Sequence, residues 1–204
     1  MKSALILVDI QNDFMPGGSL AVSDGDKVVA VANTLMAKVD LVVATQDFHP
    51  ANHSSFASNN DGSVGDVVKL NGLDQILWPD HCVQGTGGAE LVDDLDGAEI
   101  DVIVQKGTDV GIDSYSGFFD NGRKKATELD DVLKKHNIDA VYIVGLATDY
   151  CVKYTALDAV SLGFETFLVK DGARGVNISE GDVDIAIFEM EKAGVNVITS
   201  DAVT

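Results

Sequence analysis

Short apolar runs alternate along this chain with stretches in which apolar residues recur at helical spacing. The runs are rich in Val, Ile and Leu, as is typical of strands that are buried on both faces of a sheet. A helix between two such strands joins them in parallel, so the pattern predicts a parallel sheet with helices on both faces. The six predicted strands cover residues 4–8, 41–44, 102–104, 141–144, 166–169 and 195–198.

Four helical patterns lie between these strands. The first covers residues 24–38 and the third covers residues 149–162. Capping-box spacing marks the starts of the second and fourth patterns, and glycines mark the ends of the third and fourth. In chain order these markers are Thr127 with Asp130, Gly163, Ser179 with Asp182, and Gly194.

The length of 204 residues fits one α/β domain better than two. We therefore expect a single domain over residues 1–204, with a mostly parallel six-stranded sheet in a Rossmann-like, three-layer arrangement. Residues 46–99 resist the alternating pattern and read as a long, loop-rich insertion. Its Trp, Phe and His residues argue against disorder, so a functional loop is the better interpretation.

Composition narrows the functional classes. The formal charge of −19, from 33 acidic and 14 basic residues, repels nucleic acids and anionic lipid, and we expect neither as a partner. We read this acidity as a solubility feature. No apolar stretch reaches 18 residues, and the start MKSALILVDIQNDF reads as a first strand rather than a signal peptide. Two cysteines do not form a disulfide framework, so a reducing cytoplasm is expected.

Chemically capable side chains gather where the predicted strands end. Asp9 follows the first strand, Asp47 and His49 follow the second, Lys106 follows the third, and Cys151 lies just beyond the fourth. Ligands of open α/β sheets bind outside the carboxyl ends of the strands. We therefore expect a carboxylate, an amine, a thiol and an Asp-x-His pair to share one edge of the sheet.

Cys151 stands at the start of a helical pattern, where free N–H groups and the helix dipole favour a thiolate and lower the thiol pKa. The same N–H groups could stabilise an oxyanion after the sulfur attacks a carbonyl. Asp9 is the available base, and Lys106 would keep it ionised. The competing interpretations are a small buried core residue for Cys151, a strand-end cap for Asp9 and a solvated strand end for Lys106.

Asp47, His49 and the downstream His81 together offer one carboxylate and two imidazoles. That donor set suits Zn²⁺, Mn²⁺ or Fe²⁺. An Asp-x-His pair alone is equally consistent with stabilisation of a turn. His53 is as consistent with a loop residue as with a ligand, and Cys82 reads as a buried free thiol more readily than as a fourth ligand.

Several motifs together resemble a known family. They are DxQNDF at 9–14, QDFHPANHSSF at 46–56, WPDHCVQGT at 78–86, QKG at 105–107, DSYSGFFDN at 113–121 and GLATDYCV at 145–152. They cover nearly the whole chain and are similar to the nicotinamidase/pyrazinamidase group of the isochorismatase-like cysteine hydrolase superfamily. GLATDYCV marks the superfamily, whereas DFHPANH with WPDHC is more specific, because members without the metal lack that pair.

The resemblance implies hydrolysis of nicotinamide to nicotinate and ammonia in NAD salvage, with pyrazinamide as a further substrate. It implies Asp9 as general base, Lys106 as the lysine of the triad and Cys151 as nucleophile. It also implies an isochorismatase-like fold and one divalent metal ion, zinc first, with iron or manganese as alternatives. The implied ligands are Asp47, His49 and His81.

The resemblance implies further details of the site. The backbone N–H groups of Ala147 and Cys151 would form the oxyanion hole, next to a cis peptide between Leu146 and Ala147. The aromatic walls around the pyridine ring would be Phe14, Trp78 and Tyr115. Some relatives carry a fourth protein ligand at the position of Ser55, and His53 stands two residues earlier.

Three other functions are open at this stage. A ureido or carbamoyl amidohydrolase would keep the fold and the triad, but its substrate has no ring nitrogen for the metal. A non-catalytic ligand-binding module would not need Asp9, Lys106 and Cys151 together. A thiol redox protein would need a resolving cysteine, for which Cys82 is the only candidate. The sequence does not choose between a monomer and a homo-oligomer.

Overall fold

Six parallel strands form one sheet in the computed structural model, which describes residues 1–204. Two further strands form a separate antiparallel hairpin. In chain order the strands are β1 (Ser3–Val8), β2 (Leu41–Asp47), β3 (Val67–Leu70), β4 (Leu73–Ile76), β5 (Val102–Lys106), β6 (Ala140–Leu146), β7 (Glu165–Arg174) and β8 (Asn196–Ile198). The order across the large sheet is β5-β2-β1-β6-β7-β8, and each neighbouring pair is parallel.

All six predicted strands of the large sheet are present, and the predicted fold class is confirmed. β2, β5, β6 and β7 extend beyond their predicted ends, because they continue toward the polar residues that follow each apolar run. The chain moves from β1 outward to β2 and β5 and then crosses to β6 on the other side of β1. The strand order therefore reverses between β1 and β6, the place where open α/β sheets bind ligands.

Apolar residues cover both faces of the sheet. Along β1, Ala4 and Ile6 pack into the core on one face, and Leu5 and Leu7 pack into the core on the other. Successive side chains of a strand point to opposite faces, so a strand covered on both sides has no polar positions. This double burial explains the unbroken apolar runs in the sequence.

Four α-helices occupy the predicted positions, and the first and third are shorter than predicted. They are α1 (Lys27–Met36), α2 (Leu129–Lys135), α3 (Lys153–Ser161) and α4 (Asp182–Ala193). The glycine stops are confirmed, since Gly163 and Gly194 take the left-handed conformation, with φ of +94° and +105°. No helix is long and apolar enough to cross a lipid bilayer.

The capping-box prediction is wrong in detail at both helix starts. Thr127 Oγ1 accepts a hydrogen bond from Leu129 N–H at 3.2 Å, but Asp130 pairs with Lys134 at 2.7 Å instead of reaching back. At the other start, the Asp182 carboxylate does accept the backbone N–H of Ser179 at 2.8 Å. Only that half of the predicted reciprocal pair forms.

The segment between the neighbouring strands β2 and β5 is the predicted insertion. It contains the β3–β4 hairpin, which the sequence pattern did not reveal, and three short 3-10 turns. Isolated bridges join His49 to Val83 and Phe56 to Trp78, so the segment folds onto itself at the edge of the sheet. The two histidines of the predicted metal site, His49 and His81, come from this segment.

Candidate active site and metal centre

The ammonium group of Lys106 contacts each of the reactive side chains of the site. Lys106 ends β5, and its fully buried side chain reaches across β2 toward the end of β1. Its Nζ lies 2.9 Å from Asp9 Oδ2, 3.1 Å from Asp47 Oδ1 and 3.4 Å from Cys151 Sγ. It also donates a hydrogen bond to the carbonyl oxygen of Ser114 at 2.9 Å. The structure thus brings the predicted carboxylate, amine and thiol together.

Asp9 is fixed directly after β1. Its φ of +49° turns the chain out of the strand, and its side chain is completely buried. Thr45 Oγ1 donates a hydrogen bond to Asp9 Oδ1 at 2.6 Å and accepts one from Asp9 N–H at 3.1 Å. Thr45 was missed by sequence reasoning, because a threonine inside a β-strand carries no signal of its own.

Cys151 lies in a single π-helical turn, Thr148–Val152, that leads into α3. The turn follows a cis peptide bond between Leu146 and Ala147, as the resemblance implied. Tyr150 and Val152 both donate their backbone N–H groups to the carbonyl oxygen of Ala147. Ala147 and Cys151 line the same small cavity. The assignment of their N–H groups as oxyanion donors stays a prediction.

The pKa of the Cys151 thiol differs from the prediction. Burial raises this pKa well above its ordinary value; Lys106 acts to lower it, and the carboxylates of Asp9 and Asp47 raise it further. The predicted lowering of the pKa is wrong in direction, because the helix-start argument considered only local groups. The resting thiol keeps its proton and needs a base.

The charges around Asp9 suit it to that task. Burial raises the pKa of Asp9, Lys106 acts to lower it, and Asp47 raises it. Burial opposes the charge of Lys106, yet Asp47 and Asp9 hold the pKa of its ammonium well above the usual value. Lys106 therefore remains a cation while Asp9 is a stronger proton acceptor than an exposed aspartate.

Asp47, His49 and His81 form a buried cluster of possible metal ligands. Asp47 Oδ2 lies 3.0 Å from His49 Nε2 and 3.5 Å from His81 Nε2. The Nδ1 atoms of the two rings lie 2.8 Å and 2.7 Å from the carbonyl oxygens of Gly107 and Pro79. A carbonyl only accepts, so each Nδ1 carries the hydrogen and each Nε2 is directed at Asp47. This donor set fits a divalent metal ion.

The metal cluster and the Cys151 site share Asp47. While Oδ2 faces the two histidines, Oδ1 contacts Lys106. Burial opposes ionisation of Asp47, but His49 and Lys106 hold its pKa well below the usual range. Burial also opposes the charge on His49, yet Asp47 raises the pKa of that imidazole to about 9. The carboxylate is thus ionised and ready to accept a cation.

His53 and Ser55, the candidates for a fourth ligand, bind each other. Ser55 donates its backbone N–H to His53 Nδ1 at 3.3 Å, and its hydroxyl lies 2.7 Å from the same atom. His53 Nε2 lies 3.4 Å from the carbonyl oxygen of Ile112. Burial lowers the pKa of His53, so the ring is neutral with Nε2–H as donor. Both ring nitrogens have protein partners, and His53 also belongs to a second group of possible metal ligands, with His49 and Asp113.

An apolar cavity opens next to Cys151 and the metal cluster. Phe14, Trp78 and Tyr115, the predicted aromatic walls, all line it. Sequence reasoning missed four further lining residues, Leu20, Asp113, Tyr150 and Val176. The aromatic walls, two of the possible metal ligands and the Cys151 thiol thus border one cavity.

Two of these walls are joined by a direct hydrogen bond, and a residue of the hairpin binds the same tyrosine oxygen. Trp78 Nε1 donates to Tyr115 Oη at 3.1 Å, and Gln75 Nε2 donates to the same oxygen at 3.0 Å. Gln75 Nε2 also lies 3.1 Å from Asp113 Oδ2. Gln75 was not predicted, because nothing in its local sequence connects β4 to residues about 40 positions away.

Comparison with known proteins identifies the family of this chain. A family model described as an isochorismatase domain matches residues 3–202. A nicotinamidase of Escherichia coli (strain K12) is 50% identical over 200 residues, covering 96% of this chain and 94% of that protein. A structure described as an Acinetobacter baumanii nicotinamidase/pyrazinamidase superposes with a TM-score of 0.96 at 43% identity, covering 100% of this chain and 98% of that one.

A third similar protein was solved with a metal. The pyrazinamidase of Pyrococcus horikoshii, in complex with zinc, superposes with a TM-score of 0.80 at 39% identity and covers 98% of this chain and 99% of that one. The family model, the sequence identities and the superpositions agree over nearly the full length. The chain therefore belongs to the isochorismatase family, in its nicotinamidase/pyrazinamidase group.

Proposed function

We propose that the chain is a nicotinamidase that hydrolyses nicotinamide to nicotinate and ammonia, with Cys151 as nucleophile and Asp9 as base. One observation carries the proposal: a single lysine ammonium contacts Asp9, the Cys151 thiol and the carboxylate of the metal cluster. These contacts place the nucleophile and its base beside a ligand of the metal, and Asp47 and Cys151 both line the aromatic cavity. The similarity to nicotinamidases supports the same reaction.

The reaction begins with a protonated thiol. Asp9 accepts the proton of Cys151 as the sulfur forms a bond to the amide carbon, and the carbonyl oxygen becomes an oxyanion. Asp9 then gives the proton to the amide nitrogen, the carbon–nitrogen bond breaks and ammonia leaves a thioester. Asp9 next takes a proton from water, which attacks the thioester carbon. Breakdown releases nicotinate and returns the thiol proton to Cys151.

Lys106 and the backbone stabilise the charges that arise in these steps. The Lys106 ammonium lies 3.4 Å from the sulfur, so it stabilises the negative charge that develops there. The N–H groups of Ala147 and Cys151 bind the oxyanion. The walls Phe14, Trp78 and Tyr115 hold the ring and exclude water, which keeps the amide carbon near the sulfur.

Asp47, His49 and His81 hold one divalent metal ion, for which we propose zinc, with iron and manganese as alternatives of the same donor chemistry. The similar pyrazinamidase of Pyrococcus horikoshii was solved with zinc. The chemistry that the ion supplies is coordination of the pyridine nitrogen and withdrawal of electrons from the ring. Pyrazinamide keeps that ring nitrogen and is therefore a second substrate.

The same proposal assigns the remaining features of the chain. Residues 1–204 form one catalytic domain, and the insertion at 46–99 supplies the two histidine ligands. The substrate is a small molecule in NAD salvage, and two free thiols fit a cytoplasmic location. A carbamoyl or ureido substrate would leave the metal cluster and the aromatic walls without a task. The contact of Cys151 with Lys106 near Asp9 also argues against a purely binding or redox module.

The test is ammonia release from nicotinamide and from benzamide, which keeps the amide and lacks the ring nitrogen. We expect fast release from nicotinamide, a large loss of it with a chelator, and poor turnover of benzamide in both conditions. His49→Ala and His81→Ala should lose bound metal and most nicotinamide turnover while remaining folded. His136→Ala is the matched control, since His136 lies exposed at the end of α2 and should keep both.

Two results would overturn the proposal. Absence of ammonia release by the metal-loaded protein would remove the activity itself. Equal turnover of benzamide and nicotinamide would remove the role of the metal in ring binding, whatever the metal content.

A further inference from the structure

The side chain of Gln11 is hydrogen-bonded to both backbone groups of Asp47. Gln11 Oε1 accepts the N–H of Asp47 at 2.8 Å, and Gln11 Nε2 donates to the carbonyl oxygen of Asp47 at 2.8 Å. Gln11 is completely buried. A side-chain amide thus makes the pair of hydrogen bonds that a neighbouring strand would make.

The strand geometry explains why such a substitute is needed. The pairing of β1 with β2 ends at Leu7 and Ala44, whereas β2 continues to Asp47. The positive φ of Asp9 turns the chain away from β2, so no β1 backbone reaches Asp47. The N–H and C=O of Asp47 would otherwise be buried without partners, which is costly.

Gln11 is itself held on three sides. Its Nε2 also donates to the carbonyl oxygen of Ala89 at 2.8 Å, and its backbone N–H donates to the carbonyl oxygen of Asp9 at 2.8 Å. The residues on either side of Gln11 are bonded to the insertion. Asn12 donates its backbone N–H to the carbonyl oxygen of Glu90, and the carbonyl oxygen of Ile10 accepts the N–H of Val92. The Gln11 side-chain amide, which is hydrogen-bonded to Asp47, therefore has a fixed position relative to Asp9.

We propose that Gln11 is a positioning residue that presets Asp47 for the metal and for Lys106 before any ion binds. The argument follows from the two oxygens of Asp47: Oδ2 faces the histidines and Oδ1 contacts Lys106 at 3.1 Å. A small displacement of the Asp47 backbone would disturb both contacts. The inference rests on the proposed function only in that Asp47 binds the metal.

The first experiment compares zinc affinity in variants of the full chain. Gln11→Met keeps the unbranched shape of the side chain and removes all three of its hydrogen bonds. We expect zinc to bind on the order of 10- to 100-fold more weakly, the usual effect of losing a group that orients a ligand.

Gln84→Ala is the matched control. Gln84 also donates a side-chain amide to a backbone carbonyl next to Asp47, that of Phe48 at 2.9 Å, but it is exposed. Its zinc affinity should stay within about twofold of the parent. If folded Gln11→Met binds zinc as tightly as this control while its free energy of unfolding falls, Gln11 is only a structural residue and the proposal is wrong.

A second experiment needs no variant. Residue-resolved hydrogen exchange of the metal-free parent should show the Asp47 amide protected to within about tenfold of the amides inside β2. Fast exchange of that amide until zinc is added would overturn the proposal, because the ion and not Gln11 would then order Asp47. A parent that binds no zinc would contradict the proposed function, and this exchange measurement would still test Gln11.

Discussion

At the scale of single residues, Lys106 connects the two chemical halves of the site. Its ammonium group donates hydrogen bonds to the carbonyl oxygen of Ser114 and to the Cys151 sulfur, and it forms ion pairs with Asp9 and Asp47. A buried lysine without such partners would lose its charge. Here the two carboxylates keep the lysine charged, and its positive charge offsets the negative charges of the base Asp9 and of the metal ligand Asp47.

The two cysteines should differ completely in function. Cys151 lines the cavity and contacts Lys106. Cys82 packs into the core on the opposite face of the sheet, and its backbone N–H donates to Asp13 Oδ2 at 2.7 Å. We expect Cys151→Ala to abolish nicotinamide hydrolysis and Cys82→Ala to keep most of it. Steady-state ammonia release measures both, and loss of activity in Cys82→Ala alone would reverse the assignment.

The raised pKa of Cys151 predicts a particular pH profile. The thiolate is the species that iodoacetamide alkylates, and a raised pKa means that its fraction is still small at pH 9. In the metal-free protein the alkylation rate of Cys151 should therefore keep rising about tenfold per pH unit through pH 9. Mass spectrometry of the labelled peptide measures this rate, with Cys151→Ala as the blank.

A plateau in that profile near pH 7 would show a thiolate favoured by the helix start. That result would contradict the effect of burial and of the two carboxylates. A free small-molecule thiol, measured in parallel, should level off above its ordinary pKa of about 8.5.

Asp9 should be needed for the chemical step and not for the fold around it. Asp9→Asn keeps the shape of the side chain and can still bind Thr45, but an amide cannot accept the thiol proton. We expect kcat to fall by a factor on the order of 10²–10⁴, the usual contribution of a positioned acid–base group. Asp26→Asn changes an exposed aspartate and should keep the parent rate. Near-normal turnover in Asp9→Asn would mean that another base serves Cys151.

At the scale of elements, the β3–β4 hairpin links the insertion to the substrate pocket. Gln75 on β4 donates to Tyr115 Oη and to Asp113, and Tyr115 is also bound by Trp78. Seven of the eight residues in its two strands are exposed or half-buried, and Gln75 is the buried one. This buried glutamine therefore connects the hairpin to one aromatic wall and to Asp113 at the edge of the pocket.

Gln75→Leu should weaken substrate binding more than it slows the chemistry. The variant leaves the Asp113 carboxylate with one partner fewer and leaves the Tyr115 hydroxyl with Trp78 as its remaining donor. We expect KM for nicotinamide to rise about tenfold while kcat changes by less than about threefold, since the ring walls act on substrate and transition state alike.

Asp74→Ala is the matched control in the same hairpin. It removes an exposed ion pair with Lys69, at 2.7 Å, and such pairs contribute little. Both kinetic constants should stay at parent values in this control. A fall of kcat in Gln75→Leu with KM unchanged would place Gln75 in the chemical step and contradict its role in alignment.

At the scale of the whole molecule, the net charge of −19 opposes compactness. The acidic residues are spread along the chain, so most of the repulsion lies between exposed groups that salt can screen. We expect Tm to rise as NaCl is increased from about 0.01 M to about 0.5 M, where the screening length falls below about 10 Å. Differential scanning fluorimetry of the metal-free protein measures the shift.

A neutral osmolyte series separates screening from general stabilisation. Sucrose is excluded from the protein surface but does not screen charge. At matched osmolality, the change of Tm with sucrose should therefore differ from the change of Tm with NaCl. A Tm that stays flat or falls with NaCl would show that repulsion contributes nothing to the stability of this chain.

Much of the arrangement could be predicted from the sequence because the chemistry stands at strand ends. Asp9, Asp47, Lys106 and Cys151 each follow an apolar run, and parallel strands bring their carboxyl ends to one edge. The side chains that hold these residues in place could not be predicted. Thr45 and Gln11 bind partners 36 residues away, and hydrogen bonds at that separation leave no periodic trace in the sequence.

The six strands of the large sheet, their parallel direction and the edge at which the reactive groups meet follow from the sequence, because local periodicity and strand polarity are properties of the chain. The contacts between those groups and the pKa shifts that result depend on the tertiary structure. The order β5-β2-β1 sends Lys106 across a neighbouring strand to reach Asp9, and burial beside two carboxylates reverses the pKa shift expected for Cys151. Electrostatic energies depend on distance and on exclusion of water, and both are set when distant segments pack together.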